Sequence, residues 1–153
     1  MITIEQLTFI VREASKLMVT DGFEIDQKDG FENIVTSSDV AVQNYLCKSL
    51  SVLMPDSGFL CEEKDINDSC HEYTWIIDPI DGTANYSRGI DQCAICVGLK
   101  HGVEMLMGVV FLPRTNELFH AEKGKGAFLN GKRIHVSDRG FSNAVLCTAL
   151  PVY

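Results

Sequence analysis

A chain of 153 residues, 46% hydrophobic and 22% charged, has the composition of one globular domain with a sizeable core, which excludes extended disorder. Thirteen Lys and Arg against twenty-one Asp and Glu leave a net charge of -8, a sign that repels nucleic-acid backbones and argues against a nucleic-acid partner. No segment approaches the ~20 apolar residues that span a bilayer, and the start lacks a basic stretch followed by an apolar one, so neither a membrane role nor a secretory signal is expected.

Thr3-Ile4-Glu5-Gln6 has the form of a capping box and opens a helix. Leu7, Ile10, Val11, Ala14, Leu17 and Met18 recur at helical spacing as its apolar face, and Asp21-Gly22 ends it. Residues 27–32 are polar around Gly30 and read as a turn. A second helix begins at Thr36-Ser37-Ser38-Asp39, residue types that satisfy the free amides of a helix start, and Val42, Leu46, Leu50 and Leu53 form its buried face. Pro55 to Gly58 is a turn, residues 59–61 a short apolar run, and residues 66–72 a polar loop. Tyr73-Thr74-Trp75-Ile76-Ile77 is aromatic and β-branched and reads as a strand that Asp78-Pro79 breaks. Strands follow at 93–100, 103–112, 117–122 and 127–129, with His101-Gly102 and Asn130-Gly131 as tight turns. Two helices ahead of successive antiparallel strands predict an α+β fold, two N-terminal helices packed on a mostly antiparallel sheet.

The six cysteines, Cys47, Cys61, Cys70, Cys93, Cys96 and Cys147, are irregularly spaced in a chain too large to need disulfide staples. They read as reduced thiols of a cytoplasmic protein. Cys93 and Cys96 form a C-x-x-C, but strand alternation points them to opposite faces, so core packing is expected there rather than a zinc or redox site. The apolar run from Ala144 to Tyr153 reads as a chain cut at the entry to a further segment, with a buried last strand as the alternative.

The chemistry concentrates at Asp78-Pro79-Ile80-Asp81-Gly82-Thr83. Proline restricts its own φ and the residue before it, holding Asp78 extended. Asp78, Asp81 and the carbonyl between them at Ile80 are hard oxygen donors of the kind Mg2+ accepts. Gly82 lets the backbone approach a ligand closely, and Thr83 can open a short helix whose amides face an anion. Such a turn suits a phosphate ester bridged by Mg2+, whose charge would invert the repulsive field of an acidic chain. The alternative is an ordinary turn, since Asp-Pro and Asp-Gly are common turn dipeptides. Two upstream features bear on the choice. Glu62 reaches the same edge if its short strand pairs beside residues 74–77, and is otherwise part of a solvated acidic run. Asp39 stands at a helix start, where a carboxylate is also favoured by the dipole alone.

The run WIIDPIDGTANY (75–86) closely resembles the first signature of the inositol monophosphatase family, whose usual form ends T-x-N-F; Tyr86 stands for the aromatic. Lys28 followed by Ile34-Val35-Thr36-Ser37-Ser38-Asp39 resembles the family's K…LVTxxD segment. Glu62-Glu63 resembles its G-E-E, with Cys61 in place of glycine, and residues 121–137 resemble its GxGAFxNG hairpin. The resemblance covers almost the whole chain and implies the N-terminal half of a layered αβαβα sandwich. Carried over, it implies that Glu62, Asp78 and the Ile80 carbonyl hold one Mg2+ and that Asp78 and Asp81 hold a second. Asp81, Gly82 and Thr83 would bind substrate, with the Gly82 and Thr83 amides on phosphate. The Thr83 hydroxyl and Glu62 would orient the attacking water, with Asp39 supporting Thr83. The implied activity is Mg2+-dependent hydrolysis of a small phosphate monoester, foremost inositol monophosphate, by metal-activated water without a covalent intermediate. The family's second half carries a W-D-x-A-A-G-like motif that completes the second metal site. Nothing here matches it, so residues 1–153 are expected to be a metal- and phosphate-binding domain without the C-terminal family domain. A sugar- or nucleotide-phosphate phosphatase is the alternative substrate class, although Thr83-Ala84-Asn85-Tyr86 departs from the G-T-K-E-F of the nucleotidase branch. A non-catalytic metal-binding fragment is the remaining alternative, and the family likeness favours a homodimer.

Overall fold

The structure, a computed structural model, describes residues 2–19, 22–27, 34–63, 67–68 and 71–145. Helix α1 spans Ile4–Ser15, and the expected capping box is present, Thr3 accepting from the Gln6 amide while the Gln6 side chain accepts from that of Thr3. Strands β1 (Ile25–Gln27) and β2 (Ile34–Thr36) form an antiparallel pair that feeds directly into α2 (Ser37–Leu53). Then come β3 (Gly58–Cys61), β4 (Asn67–Asp68), β5 (Tyr73–Asp81), the single-turn α3 (Thr83–Tyr86), β6 (Ala94–His101), β7 (Glu104–Leu112), β8 (Glu117–Glu122), β9 (Gly126–Leu129) and β10 (Lys132–Ile134). A 3-10 turn lies at Phe141–Asn143.

Eight strands form one sheet in the order β10-β9-β8-β7-β6-β5-β3-β4, and every pairing is antiparallel except β3 with β5. The fold is therefore α+β with a mostly antiparallel sheet, as the element order predicted. Helix α1 packs on β6, β7 and β8, helix α2 on β5, and the two helices touch. Strand alternation puts Trp75, Ile77, Ile95, Val97, Leu99, Val109 and Phe111 under the helices, where they join Leu7, Val11, Leu46 and Leu50 in one core. The indole of Trp75 is fully buried and donates to the Ser57 hydroxyl, so its polar edge is satisfied. Among the described residues no helix is long and apolar enough to cross a membrane.

The opposite face differs. Ile76, Asp78, Cys96, Met105, Val110 and Phe119 line an open cleft of about 460 Å³ there. Met105 and Val110 remain 49% and 39% exposed, while Met107, Val109 and Phe111 of the same strand are buried. This is a largely apolar sheet face with the Asp78 carboxylate at its edge.

Several sequence expectations shift. Helix α1 stops at Ser15 rather than near Asp21, and Leu17 is 37% exposed. The Ser15 hydroxyl donates to the Arg12 carbonyl, and the next amides bond three residues back, tightening the chain out of the helix. Leu53, expected on the buried face, is 38% exposed at the last position of α2. Asp78-Pro79 does not end its strand. Strand β5 continues to Asp81, with a register shift between Asp78 and Asp81 against β6, and a proline is tolerated where the ladder is already broken. Asn67–Asp68, expected as loop, pairs with β3. Val103 is fully exposed in the turn instead of opening β7. Lys28, Gly30, Asp21, Cys70, Cys147 and residues 146–153 of the apolar terminus lie outside the described residues.

Candidate metal and phosphate site

The site is assembled from three element ends. The first is the start of α2. Thr36 is the N-cap, and its hydroxyl donates to Asp39 Oδ2 at 2.5 Å while its amide donates to the same oxygen at 2.8 Å. Asp39 is 1% exposed, a burial that a carboxylate tolerates only when its oxygens are hydrogen-bonded. Its other oxygen, Oδ1, accepts from the Thr83 hydroxyl at 3.1 Å across forty-four residues of sequence. Asp39 is thus both a cap and a fixed acceptor for Thr83. Thr36→Ala removes the cap hydroxyl and is expected to lower stability by about 1–2 kcal/mol, read as a lower urea midpoint at unchanged slope.

The second is the end of β3. Because β3 runs parallel to β5 with Cys61 opposite Ile77, the chain delivers Glu62 beside Asp78, and the Glu62 amide donates to the Ile77 carbonyl at 3.2 Å. The strand pairing that the sequence made conditional is therefore present. Glu63 turns the other way and is buried. Its amide donates to Gln43 Oε1 at 3.0 Å, and its carbonyl accepts from Gln43 Nε2 at 2.7 Å, bracing α2 against the end of β3. Sequence reading passes over Gln43; its signal is a polar residue on the buried side of α2, four positions after Asp39.

The third is the turn after β5. Asp78 faces the open side of the sheet, and its Oδ1 is buried without a hydrogen-bond partner. Burial first, then the Glu62 carboxylate by charge and by a shared proton, then the charges of Asp81 and Asp39, push the Asp78 carboxyl up to about 7. Asp81 is exposed at the last position of β5 and acts on Asp78 through charge. Ile80 is buried, and its carbonyl accepts from the Thr83 hydroxyl at 2.9 Å. Gly82 caps α3 at φ +83, and a Cβ there would sit 2.7 Å from the Gln92 carbonyl oxygen. The amides opening a helix have no intrahelical acceptor, so Gly82 and Thr83 present N–H groups at this turn. Tyr86 anchors the far end of α3, donating toward Ser38 Oγ at 2.8 Å and Val19 O at 2.5 Å and stacking on Phe23. Ser38 is read from the sequence only as part of a helix start, and Phe23 carries no signal that marks it for the site.

Glu62 and Asp78 meet, and Asp39, Thr83 and Ile80 are linked through the Thr83 hydroxyl. Among the described residues, no three Asp, Glu, His or Cys side chains stand close enough to form a ready ligand set. An unpartnered buried carboxylate oxygen pressed by three neighbouring carboxylates is a donor set that a divalent ion would relieve, so the residues fit Mg2+. Of the C-x-x-C, Cys93 is buried with Ile80 and Tyr86, while Cys96 lines the cleft, on the opposite face as expected.

The sequence model of the inositol monophosphatase family matches residues 3–152. Inositol-1-monophosphatase of Caulobacter vibrioides is 36% identical over 148 residues, covering 92% of this chain and 58% of that protein. The extragenic suppressor protein suhB of Bartonella henselae superimposes with a TM-score of 0.83 at 29% identity, covering 89% of this chain and 55% of that one. An IMPase/NADP phosphatase complexed with Mg2+ and phosphate superimposes at 0.73 with 27% identity, over 84% of this chain and 49% of that one. The chain spans about half the length of the curated relatives it matches. The signature at 75–86, the carboxylates it brings beside Glu62, and the fold that carries them agree over one span, and the chain belongs to the inositol monophosphatase family.

Proposed function

We propose that this chain binds Mg2+ and the phosphate of a small monoester, foremost inositol monophosphate, and supplies the groups that direct water at the phosphorus. The observation that carries this reading is Asp78, with a buried and unpartnered Oδ1 set against Glu62, beside the cleft that Asp78 lines. Mg2+ would be held by Glu62, Asp78, the Ile80 carbonyl and Asp81, and when bound it supplies positive charge for the phosphate and lowers the pKa of water. The protein's own groups do the rest. The Thr83 proton is directed at Asp39 Oδ1 and the Ile80 carbonyl, leaving lone pairs on Thr83 Oγ1 to accept from a water molecule and orient it. Glu62, exposed on the same side, accepts a proton from that water as it attacks. Asp39 is a positioning residue that acts through Thr83. The Gly82 and Thr83 amides receive phosphate oxygens.

Binding is tested by calorimetry on the purified chain. Mg2+ should bind, inorganic phosphate should bind only when Mg2+ is present, and Glu62→Gln should weaken Mg2+ about tenfold or more. Phosphate binding that survives EDTA, or a Mg2+ isotherm unchanged in Glu62→Gln, would sink the assignment.

A further inference from the structure

The brace between α2 and the end of β3 contains a second pair of groups, which the proposed phosphatase chemistry does not use. Gln43 and Cys47 lie four residues apart on one face of α2; Cys61 and Glu63 lie two apart on the extended chain they meet. Gln43 clamps Glu63 through two hydrogen bonds, and this holds the thiols of Cys47 and Cys61 in contact, Sγ to Sγ at 3.6 Å. Cys61 is buried and Cys47 is half-buried, so Cys47 is the more accessible residue of the two. We propose that Cys47 and Cys61 are a reversible thiol-modification site that closes to an intrachain disulfide on exposure to a small-molecule disulfide of the glutathione type.

Closure asks the sulfurs to approach by about 1.5 Å, to the usual bond of ~2.05 Å, which side-chain torsions on two neighbouring elements can share. The chemistry balances without another reagent. Cys47, as thiolate, attacks one sulfur of the oxidant, forming a mixed disulfide and expelling one thiolate. Cys61 then loses its proton and attacks Cys47 Sγ, expelling the second. Two protein thiols are oxidised, one external disulfide is reduced, and two external thiols leave. The shared contact holds the Cys47 thiol below its ordinary pKa and, with burial, the Cys61 thiol above its own, so Cys47 is the first attacker and Cys61 follows only once Cys47 is capped. The sequence draws the eye to Cys93 and Cys96, but their opposite faces prevent pairing and make them an internal control.

The site has a place to act. Cys61 immediately precedes Glu62, so a bond to α2 draws the end of β3 toward the helix layer and away from the face that Glu62 shares with Asp78. Oxidation should therefore weaken Mg2+ binding, a consequence that rests on the proposed metal role of Glu62.

The full chain is incubated with oxidised glutathione and digested without reductant, and its peptides are identified by mass. A Cys47–Cys61 linked peptide, exceeding the Cys47–glutathione adduct by about tenfold and reversed by dithiothreitol, is expected. In Cys61→Ser the Cys47–glutathione adduct should accumulate instead; Cys47→Ser should leave Cys61 unmodified. A dominant Cys47 adduct in the unaltered chain, a Cys93–Cys96 link, or no Cys47 product overturns the proposal. Calorimetry on reduced and oxidised chain then reads the coupling. A linked peptide with unchanged Mg2+ affinity removes the coupling to Glu62 and leaves the dithiol site standing, whereas absence of Mg2+ binding in both forms counts against the metal assignment alone.

Discussion

Asp78→Asn is expected to cut Mg2+ affinity by about a hundredfold or more and yet to stabilise the metal-free chain at pH 8. Both effects follow from one carboxylate. In the folded chain Asp78 holds its proton up to about 7, against an ordinary value of 3.8, first because it is buried and then because Glu62, Asp81 and Asp39 surround it. Between those two values the folded state binds more protons at this group than the unfolded state does. Stability therefore falls as pH rises from about 4 to 7 and stays lost above it. Asp78 is partly open to the cleft, so solvent screening reduces the penalty to about 1–2 kcal/mol. Asparagine keeps the shape and carries no charge to repel, so urea unfolding in EDTA should show a higher midpoint than the parent at pH 8 and little difference at pH 4. Mg2+ should raise the parent's midpoint by mass action and leave the variant's where it was. An unchanged Mg2+ isotherm in Asp78→Asn would remove this residue from the site, and parallel pH profiles would show that its burial is not felt as repulsion.

Gly82→Ala is the second large effect, an expected loss of about 2–4 kcal/mol. Two independent costs meet at this position. The backbone is left-handed at φ +83, where a Cβ crowds its own carbonyl, and the added carbon would stand 2.7 Å from the Gln92 carbonyl oxygen, a backbone atom that cannot swing aside. Gly102→Ala separates them. Its φ is +57 and a Cβ there meets nothing within 4 Å, so only the conformational cost of about 1–2 kcal/mol applies. If the two variants lose the same stability, the contact with Gln92 is relieved by a shift and is not a constraint. If Gly82→Ala loses more, the turn must move. Thr83, whose hydroxyl is held by Asp39 and the Ile80 carbonyl, moves with it, and phosphate binding in the presence of Mg2+ should weaken even in the folded fraction.

Much of the frame is legible in the residues alone. The capping box at Thr3 and the helix start at Thr36 stand where the residue types place them, because a cap is local chemistry spanning four residues. The strand at 117–122 coincides with β8 and that at 127–129 falls within β9, which opens one residue earlier at Gly126, since alternation is also local. The boundaries that slip are decided by partners elsewhere. Leu17 fits the spacing of an apolar helical face, but the helix has already ended where Ser15 turns back on Arg12. Pro79 has the chemistry of a strand end, but the bulge against β6 absorbs its missing amide. Lys28, an element of the family resemblance, lies outside the described residues.

The chemistry on offer at 78–83 is written in the residues themselves: two carboxylates, a carbonyl, a glycine and a hydroxyl in six positions, together with the family to which such a run belongs. Glu62 and Asp39 stay ambiguous acids at that level, each with an ordinary surface or capping explanation. Long-range packing decides where each of them stands. The parallel register of β3 beside β5 puts Glu62 against Asp78, and the packing of α2 on β5 lets Asp39 cap its own helix with one oxygen and hold Thr83 with the other. Packing also selects which cysteines meet: Cys47 and Cys61, far apart in sequence, rather than the adjacent-looking Cys93 and Cys96. The reason is the same in each case. Local sequence sets which groups a segment carries and which way alternate residues face, whereas the distance between groups on different segments is set by strand register and helix docking, which are long-range properties of the whole core.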